Sequence, residues 1–184
     1  NQLNTYTVIP EITTQGPPLE QSGFRWFENS DSVVGKQTWA QTWGDTNNNY
    51  HAFGLQRTVD GGYILAGYTA GYGAGGLDYS IVKYGASGVE KWAKTWGGTG
   101  EDIANDVKQT SDGGYIVVGY TFSYGSGGAD QSIVKLNSSG VEQWSKTWGG
   151  ADDDQAEAVQ ETSDGGYIVT GYADSYGGGF GSKT

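Results

Sequence analysis

The chain has 184 residues, among them 33 Gly, 13 Tyr and 7 Trp but only 3 Pro; interior glycines destabilise helices, so an all-β, turn-rich fold is expected. Ten Lys and Arg against 21 Asp and Glu leave a formal net charge of −11, which argues against the phosphate backbone of nucleic acid or an anionic membrane surface as a partner. The absence of Cys removes disulfides, thiolate metal sites and cysteine nucleophiles, and no apolar run approaches the roughly 20 residues of a membrane span, so no membrane insertion is expected.

The sequence starts at Asn1 with neither an initiator Met nor a basic-then-apolar leader. Secretion followed by removal of a signal segment is one ordinary route to such a start, and an extracellular or cell-surface location is the expectation. Residues 1–23 lie outside the repeat that organises the rest. Within them Thr5-Tyr6-Thr7-Val8-Ile9, followed by Pro10, has the alternation and β-branching of a strand, with Tyr6 and Val8 on one face. Pro17-Pro18 bounds it, so the segment reads either as a linker or as a strand donated to a neighbouring subunit.

Downstream the chain repeats itself. Asp60-Gly61-Gly62-Tyr63-Ile64 returns as Asp112-Gly113-Gly114-Tyr115-Ile116 and again as Asp164-Gly165-Gly166-Tyr167-Ile168, a period of 52 residues. Each period holds four short β-rich runs, in the second copy Ile103 to Thr110, Tyr115 to Thr121, Gln131 to Leu136 and Val141 to Trp148. The Asp-Gly pairs between the first two runs read as two-residue hairpin turns, in which Gly tolerates positive φ. A phosphate cradle at these glycines is disfavoured because no helix follows them.

A four-stranded unit of this length approaches the blades of WD40 and kelch propellers, so a β-propeller-type repeat is the expected architecture. The residues TSDGGYIV, SIVK and SGVEQWSKTWGG resemble the β-propeller repeats of large secreted or surface proteins of bacteria and archaea. The resemblance runs from about Trp39 to Tyr176 and implies a scaffolding module without catalytic residues. Phe24-Arg25-Trp26-Phe27-Glu28-Asn29 also resembles a segment that introduces domains in long modular surface proteins.

The ends divide one unit between them. Trp39-Ala40-Gln41-Thr42-Trp43-Gly44 repeats the fourth-strand pattern of Trp92-Ala93-Lys94-Thr95-Trp96-Gly97, and Phe24 to Glu28, with Trp26, falls where a third strand belongs. The last copy supplies Gln155 to Thr162 and Tyr167 to Ala173, then stops at Ser182-Lys183-Thr184. The expected organisation is a half blade at 24–44, blades at 50–98 and 102–150, and a half blade at 155–176: twelve strands, or about three blade equivalents. A ring closed within one chain would have fewer blades than the usual four to eight. Two chains exchanging halves would close a six-bladed ring, head-to-tail exchange would build a filament, and a longer precursor would supply further blades. Tyr6, Val8, Phe24, Trp26, Trp39, Trp43, Tyr167, Ile168 and Val169 are the candidate assembly residues.

The Trp pairs 39/43, 92/96 and 144/148, at spacing four, point to one face of a strand and are expected to fill the space between sheets, with sugar stacking as the alternative. Tyr72, Tyr124 and Tyr176 sit in glycine-rich tracts and are the candidate glycan contacts. Oxygen-rich loops carry Asp45 and Asn47 to Asn49, then Glu101 and Asp102, then Asp152, Asp153 and Asp154; they read as solvated turn acids, with calcium the alternative. No other cofactor is implied. Asp78 and Asp130 recur two residues before SIVK and are expected to hold the glycine loops. The single His, His51, is replaced by Ile103 and Gln155 in the other copies, so no enzyme is expected. Asn137-Ser138-Ser139 is a glycosylation sequon. The reading favoured is an extracellular structural subunit that assembles with itself, with a carbohydrate-binding module as the alternative.

Overall fold

The computed structural model describes residues 49–175, and every regular element among them is a β-strand. The first sheet contains β1 (Tyr50–Arg57), β2 (Tyr63–Thr69), β3 (Asp78–Tyr84) and β4 (Glu90–Trp96). The second contains β5 (Asp102–Gln109), β6 (Tyr115–Thr121), β7 (Asp130–Leu136) and β8 (Glu142–Trp148). The third contains β9 (Asp154–Glu161) and β10 (Tyr167–Ala173). Within each sheet the strands pair antiparallel in chain order. The strands expected at Phe24 to Glu28 and Trp39 to Gly44 lie outside the described residues, as do Tyr6, Val8, Trp26 and Tyr176.

The strands match the runs read from sequence to within one or two residues: β5 and β7 each begin one residue early, at Asp102 and Asp130, and Val141 falls in the turn before β8. The Asp-Gly turns differ in kind. In a two-residue turn of the expected type, positive φ is needed at the first central residue. Here no non-glycine residue has positive φ, whereas Gly113 has φ 80°. The Gly113 amide donates to the Thr110 carbonyl and the Thr110 amide to the Gly114 carbonyl, both at 2.9 Å. This is a three-residue loop with Gly in the left-handed position. Asp112 sets the choice, because its carboxylate accepts from the Thr110 hydroxyl and the Gly114 amide and keeps Asp112 itself right-handed.

Strands in the middle of this stack do not alternate between buried and exposed residues. In β6 six of seven residues are buried, because the second sheet is covered on both faces. One face packs Tyr115, Val117, Val134 and Leu136 against Ile64, Ala66, Tyr79 and Ile81 of the first sheet, with Trp92 and Trp96 against the same cluster. Its other face packs Ile116, Val118 and Ile133 against Ala156 and Val159 of the third sheet, joined by Trp144, Tyr167 and Val169. Trp92, Trp96 and Trp144 therefore pack between neighbouring sheets: Trp92 meets Tyr115 edge-on at 5.5 Å between ring centres, and Trp144 meets Tyr167 at 6.0 Å, whereas Trp148, expected there too, is 37% exposed, and Trp39 and Trp43 lie outside the described residues. Tyr79, wholly buried, crosses the first junction to share a hydrogen bond with the Ser132 hydroxyl.

The Lys of each SIVK motif is buried and tied to the hairpin turn of its own sheet. Lys83 Nζ donates to both carboxylate oxygens of Asp60, at 3.1 and 2.9 Å, and to the Tyr84 carbonyl. Lys135 repeats this with Asp112 and the Leu136 carbonyl, adding Gln143. A buried ammonium without a counter-ion is costly, so each pair couples the turn to the third strand. Hydrogen bonds from Thr58, then Lys83 and Gly62, hold the Asp60 carboxyl at about 2; Thr110, Lys135 and Gly114 do the same for Asp112. Asp164 in the third sheet has no lysine partner among the described residues.

Replacing Asp112 by Ala is expected to lower stability by about 2 kcal/mol, less than for a fully buried pair because the carboxylate is half exposed; urea denaturation measures it. A carboxyl whose pKa is lowered on folding stabilises the native state above its unfolded value and loses that contribution as it protonates. Denaturation midpoints should therefore fall as pH drops from the ordinary carboxylate range towards about 2, with a smaller fall in the Asp112→Ala variant.

Candidate functional site

Two exposed regions stand out at opposite ends of the stack. At one end, β10 has β9 on one side and no pairing strand on the other among the described residues, whereas β2 and β6, its counterparts in the repeat, are paired on both sides. Tyr167 and Val169 turn inward against the second sheet. Ile168 turns outward and is 57% exposed, although Ile64 and Ile116 at the same repeat position are fully buried. Of the three β10 residues expected in assembly, Ile168 is thus the one that is open. Phe24, Trp39 and Trp43 lie outside the described residues.

At the other end, the face of the first sheet that points away from the second is covered over β2 and β3, where Leu65, Val82 and Tyr84 are buried. It is open at β1. Leu55, paired across the strands with Leu65, is 44% exposed, whereas its counterparts Val107 and Val159 are buried.

The oxygen-rich loops are built around buried carboxylates. Asp102 and Asp154 open β5 and β9 and are fully buried, not solvated as expected for turn acids. Asp102 accepts from the Thr121 hydroxyl, from the Ser123 hydroxyl at 2.7 Å and from the Gly98 amide at 2.9 Å. Asp154 accepts from the Gly150 amide at 2.9 Å and the Ser175 amide at 3.3 Å. The remaining acids of these loops, Glu101, Asp152 and Asp153, are exposed, and Asp153 accepts from the Ala129 amide. Among the described residues no group of three or more His, Asp or Glu side chains is arranged to hold a metal ion.

Asp78 and Asp130 do hold the glycine loops. Asp78 accepts from the Gly75 amide at 3.3 Å and Asp130 from the Ser126 amide at 2.8 Å. Burial raises the Asp78 carboxyl above its ordinary value, and the charge of Asp102 adds to the rise. Gly97 lies between these two carboxylates, and any Cβ there would run into both.

Tyr124 is positioned, not free on its loop. Its hydroxyl donates to the Gly97 carbonyl at 2.8 Å and its ring lies 5.3 Å from that of Trp96, while 46% of the residue stays exposed. Both rings line an open cleft of about 840 Å³ with Asp78, Glu142, Ser145 and Lys146. Tyr72, the counterpart of Tyr124, is 58% exposed, with its ring 6.4 Å from that of Tyr50. Sequence reasoning passed over further aromatic contacts: on β1 and β2 His51 stacks on Tyr68 at 5.0 Å beside Phe53, and Tyr120 of β6 meets Phe122, just past that strand, edge-on. The recurrence of Tyr68, Tyr120 and Tyr172 in each Gly-Tyr pair was the signal that could have found them.

No protein-family model matches this chain, and no curated protein matches it either.

Asp102→Ala would strip three donors of their acceptor at a buried position and is expected to cost on the order of 3 kcal/mol, while Asp152→Ala at an exposed position changes stability little. If the loop carboxylates serve the fold alone, melting temperatures recorded in calcium and in EGTA will coincide for the wild-type chain; a rise with calcium would reassign them as ligands.

Proposed function

We propose that this protein is an extracellular structural subunit that assembles with itself, without catalytic activity, into a filament or surface layer. Its repeats act as propeller-type blades, and a blade divided between the two ends of the chain is completed head to tail by a neighbouring copy. The observation that carries the reading is the third sheet: among the described residues it holds two strands where the others hold four, with β10 unpaired on one side and Ile168 exposed. An unpaired strand edge beside exposed apolar side chains associates readily, and natural proteins cover or disrupt such edges. The complementary strand patterns are at Phe24 to Glu28 and Trp39 to Gly44 of the same sequence. A net charge of −11 keeps such subunits soluble before they join.

A second reading, carbohydrate binding, is favoured by the cleft at Trp96 and Tyr124. It combines aromatic faces with Glu142, Ser145 and Lys146, and aromatic rings flanked by polar groups suit the apolar faces and hydroxyls of a sugar. The two readings are compatible, since a surface polymer can carry glycan sites.

Electron microscopy of the purified chain, with mass followed by light scattering over a concentration series, tests the first reading. Long polymers are the expected result, a discrete dimer would indicate a closed ring instead, and a monomer at every concentration would overturn self-assembly. The second is tested on a glycan array, where binding lost in Tyr124→Ala supports it and a blank array removes it.

A further inference from the structure

We infer that Ile168 and Leu55 are the two halves of one junction, so that the outer face of the third sheet docks on the open part of the first sheet of a second copy. The inference rests on the self-assembly reading above and names the surfaces that meet. Its template is the pair of junctions inside the chain. Ile64 of β2 and Val107 of β5 are buried in one cluster between the first and second sheets. Ile116 of β6 and Val159 of β9 are buried in one cluster between the second and third. The same two repeat positions are left over once, as Ile168 on β10 and Leu55 on β1, and there they are 57% and 44% exposed.

The shape of the opening agrees. Leu65, Val82 and Tyr84 are already buried on that face of the first sheet, which is open at β1. The arriving body, among the described residues, is a sheet of two strands, β9 and β10, the counterparts of β1 and β2. A two-stranded sheet placed as in the internal junctions would cover the part that is open and leave the covered part undisturbed.

The polar contacts repeat in the same sense. Gln109, at the end of β5, accepts from the Val59 amide in the turn of the preceding sheet at 2.8 Å. Glu161, its counterpart in the third sheet, accepts from the Ser111 amide and hydroxyl at 2.7 and 2.9 Å. The same repeat positions are occupied by Arg57, exposed at the end of β1, and Ser163, exposed in the turn of the third sheet; Arg57 can only donate, so the bond accepted by Gln109 and Glu161 is replaced there by a charge contact. Arg57 would come to lie beside the exposed carboxylate of Asp164, a residue without a lysine partner among the described ones, so the charges of the two surfaces are complementary. The apolar series and the complementary charges point to a second copy of this chain as the occupant, because its repeat carries the matching positions.

Leu55→Glu and Ile168→Glu each place a charge in this junction while altering a side chain that is exposed in the free subunit. Each variant is expected to keep the melting temperature of the isolated chain and to associate on the order of 100-fold more weakly, as burial of an unpaired carboxylate requires. An equimolar mixture of the two retains one intact junction, the Ile168 face of the Leu55→Glu chain on the Leu55 face of the Ile168→Glu chain. Sedimentation should therefore show a dimer with one copy of each variant, and no longer polymer. Wild-type association with either variant associating equally well would overturn the assigned faces and leave self-assembly standing; so would a mixture that yields no mixed dimer. A wild-type chain that stays monomeric would overturn self-assembly and this junction together. A wild-type monomer whose melting temperature falls in Leu55→Glu would place a segment of the chain's own on that face.

Discussion

The second sheet depends on a neighbour against each of its faces. A free-standing sheet of four short strands has one apolar face to bury, whereas β6 and β2 carry apolar residues on both, as Tyr115-Ile116-Val117-Val118 and Tyr63-Ile64-Leu65-Ala66 do. Burial on two sides stabilises each such strand, at roughly 25 cal/mol per Å² of apolar surface removed from water. It also means that no single repeat can be stable alone, and that a finite stack leaves two apolar faces to be dealt with. The open surfaces at Leu55 and Ile168 follow from this constraint.

Polar groups make the stack specific without supplying most of its stability. Buried carboxylates at the start of strands, Asp78, Asp102, Asp130 and Asp154, organise glycine loops by accepting from backbone amides. Buried Lys83 and Lys135, near the other end of the strands that Asp78 and Asp130 open, anchor the hairpin turns. Each interaction has one buried charged member, which is where polar contacts matter most. Because they recur with the period of the repeat, they give the first and second sheets the same internal arrangement.

Much of the fold was legible in the chain itself, and for identifiable reasons. The three Asp-Gly-Gly-Tyr-Ile copies located β2, β6 and β10 because hairpin turns and apolar runs are local features. The role of Trp92 and Trp144 between sheets followed from their spacing and bulk. The turn type was misread because Asp60 and Asp112 use their carboxylates to stay right-handed, a choice that depends on Thr58, Thr110 and the distant lysines. Asp102 and Asp154 were read as solvated because their loop is polar; their burial depends on the preceding sheet, whose Leu77 and Ala129 carbonyls receive their amides. Tyr124 was read as a glycan contact in a glycine-rich tract, and nothing local announces its bond to Gly97.

By itself, then, the sequence determined the all-β class, the period and the number of strands in a unit, since these reside in neighbouring residues and in repetition. Only the tertiary structure decided which of the repeated positions are buried. Ile64, Ile116 and Ile168 are the same residue in the same motif, and so are the strands that carry them. What separates two core residues from an exposed contact surface is whether another sheet lies across them, and that depends on packing between repeats, which no single repeat encodes.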